Sequence, residues 1–318
     1  MTFDGEMRLT SPSGADLRLL RKTAQGPARA IVQVNHGLSE HAGRYARLST
    51  FLSAHGFHVL AHDHRGHGGT KAQGAPLGHF GPGANADTIL ADVGAVHDHI
   101  ASIWPGLPVF VFGHSMGGMI ALTYALRHSR RIAGVASWNA PFATRLEALA
   151  GKAVLAVERF RLGSDVPSRL VPRLTFGSWA RAFPQRRTEF DWLSRVPEEV
   201  DRYVRDPLCG FDVSIGVWTV LFELSLIAAS RNEYNAARKD LPLHLVGGGA
   251  DPSTGGGRIV QRTADILKRN GFGDVTIRLY PLARHETLNE PEADEAMRDL
   301  LSWIEGNLDR KNHQLMRK

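Results

Sequence analysis

The chain has 318 residues, 43% of them hydrophobic, 22% charged and 8% aromatic, with a formal net charge of +6. This composition excludes collagen-like, low-complexity and wholly disordered chains, and the length suits one large domain or a domain with an insertion. A single cysteine, Cys209, leaves no internal disulfide to form and points to a reducing compartment. No stretch approaches the ~20 apolar residues of a membrane-spanning helix. The opening segment MTFDGEMRLT lacks the basic-then-apolar pattern of a signal peptide, so the expected location is the cytoplasm. Arginines and lysines are dispersed along the chain, and their excess reads chiefly as solubility. Their densest cluster, Arg310, Lys311, Arg317 and Lys318, is read as a solvated end or a peripheral contact for anionic lipid heads at a membrane surface. Neither aromatic–basic interleaving nor zinc-finger spacing is present, and no nucleic acid partner is expected.

In chain order, the turn cluster Ser11-Pro12-Ser13-Gly14 between runs at 6–9 and 17–22 predicts an antiparallel hairpin. Apolar, β-branched runs then predict strands at 29–34, 57–61, 108–112, 132–137, 243–247 and 275–280. Amphipathic stretches alternate with them, the sign of a mostly parallel α/β sheet flanked by helices. A helix over 44–55 gathers Tyr45, Leu48, Phe51 and Leu52 on one face. A second, over 85–103, gathers Ile89, Val93, Val96 and Ile100, and a last one, over 292–308, gathers Met297, Leu300, Leu301 and Ile304. Asp87 and Asp92 fall toward the start of the second helix, where carboxylates suit the helix dipole.

Between 142 and 240 the alternation stops. Leu146, Leu149, Val154, Leu155 and Val157 recur with helical spacing, as do apolar residues over 218–229. Pro167, Pro172, Pro184, Pro197 and Pro207 interrupt the pattern, each expected to end or kink a helix. The strand–helix rhythm resumes at Leu241. The expected organisation is therefore a core over 1–141 and 241–318, with a helical insertion over 142–240 lying as a lid across the carboxyl ends of the strands.

The chemistry sits at those strand ends. A buried run leads into Gly113-His114-Ser115-Met116-Gly117-Gly118 and then a small-residue helix, the strand–turn–helix context that lends Gly-x-Ser-x-Gly its meaning. The turn must be tight to lift the Ser115 hydroxyl above the sheet, and Gly113 and Gly117 leave the backbone room to pass. A serine needs a histidine to take its proton and a carboxylate to orient that histidine. Asp251 ends the run 243–247 through Gly248-Gly249-Ala250, and His285 hangs from the loop after 275–280, so the order is serine, aspartate, histidine. The oxyanion donors are assigned to the backbone N–H groups of Leu38, in Asn35-His36-Gly37-Leu38, and of Met116. One such donor is worth about 2.7–4 kcal/mol of transition-state stabilisation.

Further segments make the reading specific. His36-Gly37-Leu38-Ser39-Glu40-His41-Ala42-Gly43-Arg44-Tyr45 resembles the HGxxEHxxRY segment of the monoacylglycerol lipase and lysophospholipase family of α/β-hydrolases. Asp63-His64-Arg65-Gly66-His67-Gly68 is similar to its D-x-R-G-H-G stretch, Gly113–Gly118 to its GHSMGG elbow, and the run from His285 to Glu290 to its HExxNE ending. Asp206-Pro207-Leu208 resembles a short motif of its cap. The resemblance implies the α/β-hydrolase fold and a serine esterase acting on a small-molecule acyl ester, with the triad Ser115, Asp251 and His285 and no metal or organic cofactor. It also implies a cap with an acyl tunnel, for which Leu146, Leu149, Leu155, Phe160, Leu221 and Phe222 are the candidate substrate-binding residues. Three positions depart from the family. The segment Pro252-Ser253-Thr254-Gly255-Gly256-Gly257 lacks the apolar residue usual shortly after the aspartate, Thr70 replaces a serine, and Arg284 adds a charge beside the base. Glu40, His41 and Arg44 have no direct role in the mechanism and are read as structural support.

Two rival readings stand beside this one. His62, His64 and His67 have the spacing of an H-x-H-x-D-H zinc hydrolase, although Gly66 occupies the aspartate position and Arg65 brings a positive charge. Asp63 and Arg65 are instead expected to pin the loop by hydrogen bonds. A non-catalytic binder on the same fold is the other alternative. The leaving alcohol, the acyl length and the oligomeric state are open at this level.

Overall fold

The computed structural model describes residues 2–163 and 166–315, with side chains through Arg310; Arg317 and Lys318 of the basic cluster lie outside the described residues, as does the side chain of Lys311. The turn cluster does make a hairpin. Strand β1 (Gly5–Thr10) runs antiparallel to β2 (Asp16–Lys22), and Gly14 adopts a left-handed φ of 83° at the turn. Next come β3 (Ala30–Asn35), α1 (Ala46–Ala54), β4 (Phe57–His62), α2 (Ala86–Ile103), β5 (Val109–His114), α3 (Met116–Arg127) and β6 (Gly134–Trp138). Six helices follow: α4 (Arg145–Leu162), α5 (Val171–Leu174), α6 (Phe176–Arg181), α7 (Pro197–Arg205), α8 (Ile215–Ala228) and α9 (Arg231–Ala236). The chain closes with β7 (Leu243–Gly248), α10 (Arg258–Arg269), β8 (Val275–Tyr280) and α11 (Ala293–Leu315).

The eight strands form one sheet in the order β1-β2-β4-β3-β5-β6-β7-β8, parallel from β4 onward and antiparallel at the hairpin end. Strands β3, β5, β6 and β7 are buried along their whole length, which is why they read as unbroken apolar runs. One face packs against α2, α3, α8 and α10, the other against α1 and α11. The helical stripes read from the sequence are these faces. Asp92 differs from expectation: it is buried and holds Arg65 at 2.7 Å, so it anchors a loop and does not serve the helix dipole.

The prolines of the insertion also differ in part. Pro172 and Pro197 open α5 and α7 from their first turns, where the missing N–H costs nothing. Pro167 bridges to Ser214. Helix α8 belongs to the main core cluster through Val217, Val220, Leu221 and Leu224, so the insertion is rooted in the sheet domain. Helix α4 lies outside α8. Gly151 lets the Phe222 ring come so close that a Cβ there would sit 2.3 Å from it. The outer side of α4 leaves Leu146, Leu149, Val157 and Phe160 exposed.

Candidate active site

Ser115 stands between β5 and α3 with φ 55° and ψ −119°, a conformation that non-glycine residues avoid. Its amide is held by the Trp138 carbonyl at 2.8 Å. A Cβ at residue 113 would lie 2.0 Å from the Gly117 carbonyl oxygen, and one at residue 117 would lie 2.1 Å from that of Asn35. Both glycines are therefore steric necessities of the elbow.

Asp251 follows β7 and His285 follows β8, and the structure brings them together: the His285 Nδ1 lies 3.0 Å from the Asp251 Oδ2. The carboxylate is fully buried yet richly solvated by protein. Its Oδ1 accepts from the Ser253 amide at 2.9 Å and hydroxyl at 2.7 Å, and its Oδ2 also accepts from the Thr254 hydroxyl at 3.0 Å and Asn139 Nδ2 at 3.2 Å. Burial by itself would raise the pKa of Asp251, but the His285 ring and these donors outweigh it and hold the carboxyl below its ordinary value. Asn139 is itself fixed by Thr287, whose hydroxyl donates to its Oδ1 at 2.9 Å. Ser253, Thr254 and Asn139 carry no motif; only the departure from the apolar pattern after Asp251 signalled the first of them.

Leu38 and Met116 line the same cavity as Ser115 and His285, and among the described residues their amides donate to no protein acceptor. The loop that presents Leu38 is held by a carboxylate. Glu40 Oε1 accepts from the Gly37 amide at 2.5 Å and from the Tyr45 hydroxyl at 2.8 Å. Arg44 then links Glu40 at 2.5 Å to both oxygens of Glu286, the residue after the histidine, at 2.6 and 2.8 Å. Burial disfavours charge on both carboxylates, but the Arg44 guanidinium between them prevails and depresses both pKa values. One arginine thus ties the Leu38 loop to the His285 loop, a structural role for Glu40 and Arg44. His41 donates through Nε2 to Asp206 at 2.9 Å, a clasp between the core and the insertion.

Arg284 turns away from the base toward the insertion, donating to the Ser194 carbonyl at 3.0 Å and lying 4.1 Å over the Phe183 ring. The Glu286 amide donates to the Leu193 carbonyl at 2.7 Å, so residues 190–195 are sewn to the histidine loop. The Thr70 hydroxyl donates to the Asp63 carbonyl at 2.6 Å and accepts from the Arg18 amide at 2.9 Å.

The zinc alternative is not supported. The ring nitrogens of His62, His64 and His67 do not converge within coordination reach among the described residues. Burial pushes His62 down to about 4 and His67 to about 3, and the rings stack edge to face in the interior, His62 on His64 at 4.5 Å. Asp63 serves the Ala42 and Gly69 amides, each at 2.8 Å, and Arg65 serves Asp92, as expected of loop pins. One group of three metal-capable side chains does exist, His41, Asp206 and Cys209. It does not fit a cation. The His41 Nδ1 accepts the Gly43 amide, so its Nε2 carries the proton given to Asp206, and burial pushes the Cys209 thiol upward.

The cavity above Ser115 has a volume of about 310 Å³ and is walled by Met119, Phe176, Trp179, Phe190, Trp192, Trp218 and Leu221. Of the six residues expected to bind substrate, only Leu221 lines it. Leu146, Leu149 and Phe160 are 78, 47 and 92% exposed on the outer side of α4. Leu155 is buried in packing, and Phe222 faces Gly151 of α4. Apart from Trp218 of α8, the aromatic wall comes from the short helices and loops over 172–193, which lack the periodicity that pattern reading detects.

The Hydrolase_4 family model (serine aminopeptidase, S33) matches residues 26–292. The chain is similar to the monoacylglycerol lipase of Mycolicibacterium smegmatis, 31% identical over 88% of this chain and 89% of that one. It is 29% identical to the human monoglyceride lipase over 88% of this chain and 83% of that one. Among solved structures, a highly thermostable carboxyl esterase from Bacillus coagulans in complex with glycerol superposes with a TM-score of 0.87 at 27% identity, covering 97% of this chain and 99% of that one.

Proposed function

Since the chain belongs to the Hydrolase_4 (serine aminopeptidase, S33) family, adopts the α/β-hydrolase fold and is a carboxylic ester hydrolase, we propose that it cleaves single-chain acyl esters, of the monoacylglycerol or lysophospholipid type, through a Ser–His–Asp acyl-enzyme. The observation that carries this reading is the buried His285–Asp251 bond beside a strained serine elbow, at the floor of an aromatic cavity. The Ser115 Oγ attacks the ester carbonyl as the His285 Nε2 takes its proton. The oxyanion accepts from the Leu38 and Met116 amides. Collapse expels the alcohol, which leaves with the proton from His285, and a water activated by the same nitrogen frees the acid. Asp251 holds the Nδ1–H tautomer and balances the imidazolium.

Residues 142–240 act as the cap, with the acyl chain lying against Met119, Phe176, Trp179 and Trp218. The exposed Leu146, Leu149, Val157 and Phe160, with Leu170 and Leu174 nearby in sequence, support peripheral contact of this cap with a lipid surface. No helix among the described residues is long and apolar enough to cross a membrane. Of the basic cluster, Arg310 pairs with Asp274 at 2.8 Å. The compartment proposed is the cytoplasm.

A fluorophosphonate probe tests the mechanism, applied with and without a metal chelator to wild type and Ser115→Ala. Chelator-insensitive labelling that disappears in the variant is the expected result. Ester cleavage by an unlabelled enzyme that stops on chelation would overturn it.

A further inference from the structure

The His285 Nδ1 has two partners, not one. The Ser253 Oγ lies 2.8 Å from it, closer than the 3.0 Å of the Asp251 Oδ2, and the same hydroxyl sits 2.7 Å from the Asp251 Oδ1. A hydroxyl between a carboxylate and an imidazole has one arrangement that satisfies all three: it donates to the carboxylate and accepts from the Nδ1–H. Ser253 and Asp251 are both buried, so no solvent competes for these bonds. The Ser253 backbone adds a second tether through its amide to the Asp251 Oδ1.

We propose that Ser253 is a positioning residue of the hydrolytic site, a neutral bridge that shares the His285 proton with Asp251 and locks the base in its productive tautomer. This inference rests on the serine-hydrolase reading above. Ser253 lies in the segment after Asp251 that departs from the family's apolar pattern, so the bridge is argued from this chain's own residues. The imidazolium formed during attack makes the stronger hydrogen bond, so the hydroxyl contributes more in the transition state than in the resting enzyme. Its loss therefore lowers kcat and leaves KM in place.

Threonine and valine at position 253 have nearly one shape and differ in the hydroxyl. With a short-chain p-nitrophenyl ester, Ser253→Thr is expected to keep kcat within about threefold of wild type. Ser253→Val is expected to lose about tenfold, the scale of one hydrogen bond to a charged group, at unchanged KM. Equal kcat in the two variants, or a loss confined to KM, overturns the proposal. Should the valine variant fail to fold, Ser253→Ala replaces it under the same criteria. A readout without turnover comes from the downfield proton resonance of the His285 Nδ1–H, which moves in Ser253→Val and stays in Ser253→Thr. An unmoved resonance in both overturns the bridge. The same spectrum separates this inference from the reading beneath it. If fluorophosphonate fails to label Ser115 while the resonance responds to the hydroxyl, the serine mechanism falls and the bridge remains.

Discussion

Helices α3 and α4 make an instructive pair, one in the sheet domain and one in the insertion. Every residue of α3 from Met116 to Leu126 is buried, between β5, β6 and α8. Helix α4 buries Ala148, Leu155 and Glu158 and turns Leu146, Val157 and Phe160 to solvent. Both read as apolar helices, but the first has its apolar surface consumed by packing and the second keeps it available. The histidines divide in the same way. All 15 histidines lie outside 142–240, and His36, His62, His114 and His244 are buried with pKa values pushed down to about 4. The His285–Asp251 pair and the buried histidines therefore belong to the sheet domain, while residues 142–240 supply most of the cavity's aromatic wall and an apolar outer face.

The contrast can be broken most severely at the elbow. Ser115→Ala is expected to reduce ester turnover by about 10⁴-fold or more with the melting temperature nearly unchanged, as read by initial rates and calorimetry. A residual rate near wild type would show that the nucleophile lies elsewhere. Next in size is Arg44→Met, which leaves Glu40 and Glu286 as unpaired buried carboxylates. Loss of one partner of a buried ion pair costs about 3–5 kcal/mol, measurable by urea denaturation. Activity should fall in parallel, because the Leu38 loop and the His285 loop lose their common anchor.

Acid should act on the sheet domain in a defined window. The buried histidines have folded pKa values near 4 against an unfolded value of about 6.5. Between those values the unfolded chain binds more protons, so stability is fully present above about pH 6.5 and declines as pH falls toward 4. Asp251, with its depressed pKa, adds a further loss at lower pH as its carboxylate becomes protonated. Melting temperature against pH checks this, and a curve flat from pH 7 to 4 would contradict the burial of neutral imidazoles. The smallest effect concerns the outer face of α4. Phe160→Ser should leave hydrolysis of a dissolved short ester unchanged. It should weaken binding to lipid vesicles by about tenfold, the scale of withdrawing one large apolar side chain from a lipid surface. Equal vesicle binding would assign that face another role.

Much of the fold was legible because it is local. The period-two and buried runs located all eight strands to within a residue or two, since parallel strands covered on both faces need unbroken apolar sequence. The common placement of Ser115, Asp251 and His285 has a related cause: each follows the carboxyl end of a strand, so chain order puts it at one edge of the sheet. The glycines at 113 and 117 announced the elbow through a steric demand confined to a few neighbouring residues.

The rest was decided by contacts between segments far apart in the chain. Arg44 meets Glu286 across 242 positions, and Asn139 meets Asp251 across 112. No spacing rule encodes such pairs. The cavity lining differs from the expected residues for the same reason. Helical periodicity in α4 identifies an apolar face but not what it meets, and α8 takes only part of it, so Leu146 and Phe160 face outward while Trp179 from the short helix α6 and Trp192 from a loop line the cavity. The sheet and the glycine elbow could be read from the residues alone, because steric and periodic constraints act over a few neighbours. How Ser253 meets His285, how one arginine joins the Leu38 and His285 loops and which side chains wall the cavity depend instead on where remote elements pack.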